Sequence, residues 1–378
     1  MNNSTYDLDS QLPRRWVHTL AGEIGIRLAG TAGERQAADF IEEEFGRIFP
    51  EVRRHEYRFL GWRPGDEGML EINGETHATR LGIACPSTPE GGVSGRLRPM
   101  GPSIYGIWEE GAAGPAAHIM AYSGHSECAI PLLWNPYASI PAGIVGGGMR
   151  DRLQAAERDG EKVTFSCRTE FLPGCPSWNV EGIIPGDRGR HVIVVAHYDT
   201  VYVSPGANDN AASAACLPAL GQLLMEMSGR NCPTLHFLAT GGEEIDLQGA
   251  RCYVRDLVWK GEGGQVVLAL NFDSLTWGNQ VKVGVAPPAE AMLPILDEAF
   301  AAVQLSVYHG SYEREGLYGG VDSAPFHQAG LPTLNINTAG DAETTALWHT
   351  PEDTENRVVW SRVDDGITLF SEFFARLK

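Results

Sequence analysis

From Val180 to Phe272 the chain alternates short apolar runs with helical stretches, and few architectures can absorb that pattern. Val180 to Ile184, Val192 to Ala196, Thr234 to Ala239 and Val266 to Phe272 read as strands, the middle ones apolar on both faces; Asn210 to Met227 and Gln248 to Leu257 read as the helices between them. Such alternation predicts an α/β fold, a mixed, mostly parallel central sheet flanked by helices. The pattern continues through Gln280 to Ala286, a helix from Glu290 to Val303, a strand from Leu331 to Asn337 and a closing helix from Val358 to Leu377. Pro218 falls inside the first helix and is expected to kink or restart it.

The 378 residues suffice for one large domain with an insertion, or for two domains. A formal net charge of −19 argues against nucleic acid as a partner, because phosphate backbones are held by Lys/Arg patches. No stretch supplies the roughly 18 uninterrupted apolar residues of a membrane helix, and the N-terminus lacks the basic and apolar regions of a signal peptide. A cytoplasmic protein without a membrane partner is expected. The seven cysteines include no CxxC pair, so neither a disulfide framework nor a thiolate zinc site is indicated.

Thr31-Ala32-Gly33-Glu34 has the form of a capping box, and Ala37, Ile41, Phe45 and Ile48 recur behind it at helical spacing up to Pro50. Glu51 to Leu60 alternates as a strand, and Asn73-Gly74 after Met69 to Ile72 signals a hairpin. From Cys85 the texture shifts to Gly and Pro with short apolar pieces and a helix from Met149 to Arg158, which predicts a small β-rich inserted module over 85–171. The larger α/β domain would then comprise 1–84 and 172–378. Val93 to Gly124 and Ile140 to Phe165 resemble the protease-associated module of some exopeptidases. His55, His77, His118, His125, His309 and His327 read as ordinary strand, module or loop residues.

Five strand ends or adjacent loops close on a hard-metal donor: His197, Asp209, Glu244, Asp273 and His349. Intervals of 12, 35, 29 and 76 residues suit ligands collected from successive sheet edges and not a compact zinc finger. Any one of them alone reads as a structural residue. The doubled carboxylate Glu243-Glu244 behind Thr240-Gly241-Gly242 changes the weighing, since two adjacent glutamates repel and a cation offsets that repulsion. Taken singly, the pair would still pass as the acidic start of a helix.

The blocks HYDT (His197 to Thr200), GANDN (Gly206 to Asn210), GGEE (Gly241 to Glu244) with Gln248-Gly249, NFDS (Asn271 to Ser274) and WHTPEDT (Trp348 to Thr354) resemble, in order, those of the M28 family of co-catalytic zinc peptidases. The resemblance implies a zinc exopeptidase-like fold and two zinc ions, with manganese or cobalt as substitutes. It further implies that His197 and Asp273 hold one ion, Glu244 and His349 the other, and that Asp209 bridges both. Asp199 would orient the His197 ring, and Glu243 would be the general base. The peptide after Asp209 is often cis in this family. Ser213-Ala214 and Gly249-Ala250 depart from the common pattern at packing positions.

The expected activity is removal of N-terminal residues from peptides. A carboxypeptidase or amidohydrolase on the same scaffold is the alternative, which a basic pocket for a terminal carboxylate would reveal, and a noncatalytic binding protein is the third reading. A one-zinc glutaminyl cyclase is disfavoured, since His197 and its HxD setting would have no task. Tyr318 in the Gly-broken loop Tyr308 to Phe326 is a candidate oxyanion contact and Trp348 a candidate pocket wall, with packing as the plainer alternative for both. Asp322-Ser323 resembles a pair found before a helix in the family. Self-association is left open.

Overall fold

The structure, a computed structural model, describes residues 11–122, 130–133, 140–225, 232–308, 311–317 and 319–377. Tyr318, His125 and His309 lie outside the described residues. The chain forms two compact units, one of 1–58, 176–200 and 204–378, the other of 59–175 and 201–203.

In chain order the strands are β1 (Glu51–Pro64), β2 (Gly68–Ile72), β3 (Glu75–Leu81), β4 (Val93–Gly101), β5 (Ile104–Trp108), β6 (Ala117–Tyr122), β7 (Ala142–Gly146) and β8 (Val163–Ser166). They continue with β9 (Thr169–Ile184), β10 (Asp187–His197), β11 (Pro233–Thr240), β12 (Val266–Phe272), β13 (Gly278–Ala286), β14 (Tyr312–Gly316) and β15 (Thr333–Gly340). The large sheet runs β1-β9-β11-β10-β12-β15-β13-β14 and is mixed. Its middle pairs, β11 with β10, β10 with β12 and β12 with β15, are parallel, whereas β9 joins β11 and β13 joins β15 antiparallel.

Strand β10 shows why its apolar run has no alternation. Val192, Val194 and Ala196 belong to a core shared with the helices Ala32–Ile48, Cys216–Leu224 and Trp360–Arg376, while Ile193 and Val195 face a second core with Ala250 and Val254 of the helix Gln248–Trp259. Helices on both faces leave no polar side for the strand, as in parallel sheets generally. The first crossover helix is broken where its proline requires. A turn of helix, Ala212–Ala214, stops and a second, Cys216–Leu224, begins, because Pro218 has no N–H to offer the carbonyl of Ala214.

The second unit closes a seven-stranded barrel, β2-β3-β7-β6-β5-β4-β8. Its hairpin β2–β3 turns on Asn73 and Gly74, both at positive φ (51° and 87°), as the Asn-Gly signal requires. This corrects the expected domain boundary. The unit begins at Phe59, not at residue 85, because β2 pairs with β8 and β3 with β7, so the early strands belong to the barrel. Alternation predicts a half-buried strand but not its partner. Among the described residues no helix is long and apolar enough to cross a membrane, and the described cysteines form no disulfide with one another.

The expected capping box exists with a changed wiring. Thr31 caps the helix Ala32–Ile48 by accepting from the Glu34 N–H, but the Glu34 carboxylate accepts from the Gly30 N–H and from the Ser177 hydroxyl. Burial pushes Glu34 from 4.5 up to about 8, against the donors that favour its charge. The folded state therefore binds more protons than the unfolded chain between those two values, and this contribution to stability declines as pH rises through that window. Glu34→Gln, a mimic of the neutral acid, is expected to flatten the decline. Urea midpoints from pH 5 to 9 check this, and an unchanged slope contradicts it.

Candidate metal centre

At the carboxyl edge of the parallel strands, β10 ends on His197 directly opposite Thr240 at the end of β11, and β12 ends one residue before Asp273. The segments that leave these strands converge. His197, Asp209, Glu243, Glu244, Asp273 and His349 are all buried to within a tenth of their surface, so four carboxylates share one small space with two imidazoles. One ligand atom each from His197, Glu243 and Asp273 lies within 4.8 Å of the others, and the same holds for Asp209, Glu244 and His349.

Asp209 stands between the two histidines. Its Oδ1 is 3.3 Å from His197 Nε2 and its Oδ2 is 3.6 Å from His349 Nε2. Glu244 Oε2 is 3.2 Å from His349 Nε2, and Asp273 Oδ1 is 3.9 Å from His197 Nε2. Donor atoms about 2.0–2.2 Å from a tetrahedral ion lie about 3.4 Å apart, so these spacings suit pairs of atoms that share an ion. The chemistry of the set agrees, because burying this many carboxylates demands positive charge and two imidazoles do not supply enough.

Electrostatics carry the same message. Burial, with Glu244 and Asp273 nearby, pushes Glu243 well above the ordinary carboxylate range; burial also raises Glu244, and raises Asp273 to about 6. Burial disfavours the charged form of His197, but Glu243, Asp199, Asp209 and Asp273 outweigh it and the ring is raised well above its usual value. Asp209 is held low despite its burial by His197, His349 and a hydrogen bond from Trp348.

Asp199 faces the His197 ring and has a further task beside it. Its Oδ1 accepts the Glu243 N–H at 3.0 Å and its Oδ2 the Glu244 N–H at 3.2 Å, so the carboxylate clamps the turn that carries both glutamates. The His197 Nδ1 reaches the Asp199 backbone carbonyl at 3.2 Å and stays 3.6 Å from Oδ1. A spacing of two residues suggests the near neighbour, and the turn after β10 also brings the carboxylate to the end of β11. Trp348 stacks on His349 with centroids 4.0 Å apart and donates a hydrogen bond to Asp209.

Three supports were given no role by the sequence reading. Asp353, in the WHTPEDT block, accepts from the Asn208 N–H and side-chain amide and from the Asp209 N–H, which fixes the GANDN loop and its cis Asp209–Asn210 peptide. Arg27 is fully buried and donates to the carbonyls of Leu20, Gly25, Tyr198, Pro205 and Gly206, tying together the loop between His197 and Asp209. Burial lowers Arg27 to about 10 while Asp199, Asp353 and Asp209 favour its charge, so it remains a cation at neutral pH. Asp322 sits fully buried, accepts from the Thr240 hydroxyl, and is raised to about 7 by burial. Nothing in the pattern around Arg27 marks it, because its partners lie up to 179 residues away.

Gly249, in the Gln248-Gly249 pair that follows the GGEE block, holds a close approach. A Cβ there would stand 2.3 Å from the Gly241 carbonyl oxygen and from Asn179 Oδ1, so only glycine lets the helix Gln248–Trp259 start against the GGEE turn.

The chain resembles known proteins over nearly all its length. It is 24% identical over 380 residues to aminopeptidase YwaD of Bacillus subtilis, covering 92% of this chain and 80% of that protein. Among solved structures, BSAP, a zinc aminopeptidase from Bacillus subtilis, shares the fold with a TM-score of 0.75 at 22% identity, covering 97% of this chain and 95% of that one. A peptidase M28 precursor from Shewanella amazonensis superposes with a TM-score of 0.78 at 19% identity, covering 97% and 93%. The model of peptidase family M28 matches residues 179–373, more than half of the 378, and the chain belongs to that family.

Proposed function

We propose that the protein is a two-zinc aminopeptidase that removes N-terminal residues from peptides. The observation that carries this reading is the placement of Asp209, one carboxylate oxygen toward His197 and the other toward His349. His197 and Asp273 would hold one ion, Glu244 and His349 the second, with Asp209 shared; nitrogen and oxygen donors without sulfur suit zinc and leave manganese and cobalt as substitutes. Ions held in this way supply Lewis-acid polarisation of the scissile carbonyl and activation of water.

The remaining work falls to the chain's own residues. Glu243 takes a proton from the attacking water on a carboxylate oxygen as the carbon–oxygen bond forms, then returns it to the departing amine nitrogen as the carbon–nitrogen bond breaks. Asp199 fixes the backbone of Glu243 and Glu244, which keeps base and ligand in register. Asp353 and Arg27 hold the loop that presents Asp209. A carboxylate-rich site favours a substrate's amino terminus over its carboxyl terminus. Arg27, the guanidinium that acts on Asp199 and Asp209, is committed to backbone carbonyls and has no fork left for a terminal carboxylate.

The test compares a leucyl peptide with its N-acetylated form, each with and without a chelator. Cleavage of the free amine alone, abolished by the chelator, is expected. Cleavage of the acetylated peptide from its carboxyl end would overturn the reading.

A further inference from the structure

The turn that carries Glu243 and Glu244 is held at its base by a line of oxygen atoms that the hydrolytic chemistry does not use. Gly241, two residues before Glu243, offers its carbonyl to two donors, the Gly249 N–H at 3.1 Å and the Tyr57 hydroxyl at 2.7 Å. Behind Tyr57 lies Ser177, its Oγ 2.8 Å from the Tyr57 oxygen, and behind Ser177 lies an oxygen of Glu34. The other Glu34 oxygen accepts the Gly30 N–H at 2.6 Å. The line is packed against the turn itself. A Cβ at Gly241 would stand 2.5 Å from Glu34 Oε1 and 2.9 Å from Ser177 Oγ, so a shift of either side chain is felt there.

Counting hydrogens gives the line a direction. The Gly241 carbonyl can only accept, so the Tyr57 hydroxyl spends its hydrogen on it. The Tyr57 oxygen in turn receives the Ser177 hydrogen, and a serine hydroxyl has no second one. The hydrogen between Ser177 and Glu34 then comes from Glu34, so the line is complete only with the neutral acid. Ionised, Glu34 draws the Ser177 hydrogen to itself, and the Ser177 and Tyr57 oxygens face each other one hydrogen short. Either those oxygens part or Tyr57 turns its hydrogen away from Gly241.

Glu34 is the member of the line that changes charge near neutrality. Burial raises it to about 8, whereas burial pushes Tyr57 well above its usual range and keeps its hydrogen in place. Two charged groups face Glu34 from other elements: Arg54 of β1 favours the carboxylate, and Asp199, in the segment after β10, opposes it. Arg54 is itself engaged by Asp39 and Glu42 of the helix that carries Glu34. Tyr198, which also feels Glu34, is buried and stays neutral.

We propose that protonated Glu34 is a positioning residue for the hydrolytic site: through Ser177 and Tyr57 it fixes the Gly241 carbonyl, and with it the turn that presents Glu243 and Glu244. Its effect on rate rests on the peptidase reading; its effect on the turn does not. The line is complete below the Glu34 transition and is lost as pH rises through about 8.

Zinc-loaded protein at pH 6.5 and pH 9.5 tests this with two readouts, steady-state hydrolysis of a leucyl peptide and hydrogen-exchange protection of residues 240–249. Glu34→Gln keeps the line at either pH, because its amide N–H donates to Ser177 and its amide oxygen accepts from Gly30. Between the two pH values, kcat of the wild type is expected to fall about three- to tenfold further than that of Glu34→Gln, the usual worth of one hydrogen bond, with KM moving alike in both. Protection of 240–249 is expected to drop in the wild type and to hold in Glu34→Gln. Ser177→Ala, which cuts the line, is expected to show the lower protection at both pH values. Exchange reports the turn whether or not peptides are cleaved, so the drop in a wild type without hydrolysis would uphold the line and count against the peptidase reading. Equal pH responses of wild type and Glu34→Gln in exchange or in kcat, or Ser177→Ala protection that matches the wild type at pH 6.5, would overturn the proposal.

Discussion

Glu243→Gln is expected to lower kcat by about 10² to 10⁴, the usual share of a general base, with bound metal and KM close to those of the wild type. The substitution keeps the shape and both backbone contacts of the turn, since Asp199 bonds the main-chain N–H of Glu243 and not its side chain. What it removes is the oxygen that accepts and returns the proton. The position of Glu243 makes the comparison informative, because a carboxylate oxygen lies within 4.8 Å of donor atoms on His197 and Asp273. If Glu243 were chiefly a ligand, the variant would lose metal together with rate. Steady-state hydrolysis of a leucyl nitroanilide, with metal content measured on the same sample, separates the two roles; hydrolysis within tenfold of wild type would contradict the mechanism.

Asp209→Asn is expected to remove the ion-dependent part of thermal stability along with activity. In the wild type, ions that bind only the folded state raise the melting point by mass action, about 2.7 kcal/mol at a hundred times their dissociation constant. Without the Asp209 carboxylate, neither histidine has the anionic oxygen it now faces at 3.3 and 3.6 Å. The ion-free variant is also expected to melt somewhat below the ion-free wild type, because His197, His349 and Trp348 favour the Asp209 charge in the folded state, so the zinc-dependent gain and not the absolute melting point reports the ions. Melting curves with zinc and with chelator give both numbers. A zinc-dependent gain equal to that of the wild type would exclude a bridging role for Asp209.

Much of this could be read from the chain because burial leaves a local trace. The run from Val192 to Ala196 is apolar on both faces, and helices cover both faces of β10. The donors His197, Asp209, Glu243, Glu244, Asp273 and His349 were visible because strand ends fix where a side chain can go, and the structure brings all six together. What was hidden depends on partners far away in sequence. Asp199 shares a short segment with His197, and only the fold shows that its oxygens also accept from the main chain of Glu243 and Glu244, more than forty residues on. Arg27 sits in an unremarkable stretch, and only the fold shows that it holds carbonyls of the His197–Asp209 loop. The barrel's first strands were assigned to the wrong unit for a related reason, since alternation reports burial on one face and is silent about which strand lies alongside.

The count of divalent ions in fully active protein tests the central claim most directly. Protein purified in zinc-containing buffer and then freed of loose metal is expected to hold two ions per chain, and stepwise removal by chelator is expected to extinguish aminopeptidase activity before both are lost. Full activity with a single ion per chain, or unchanged activity with none, would contradict a shared two-ion centre built on Asp209.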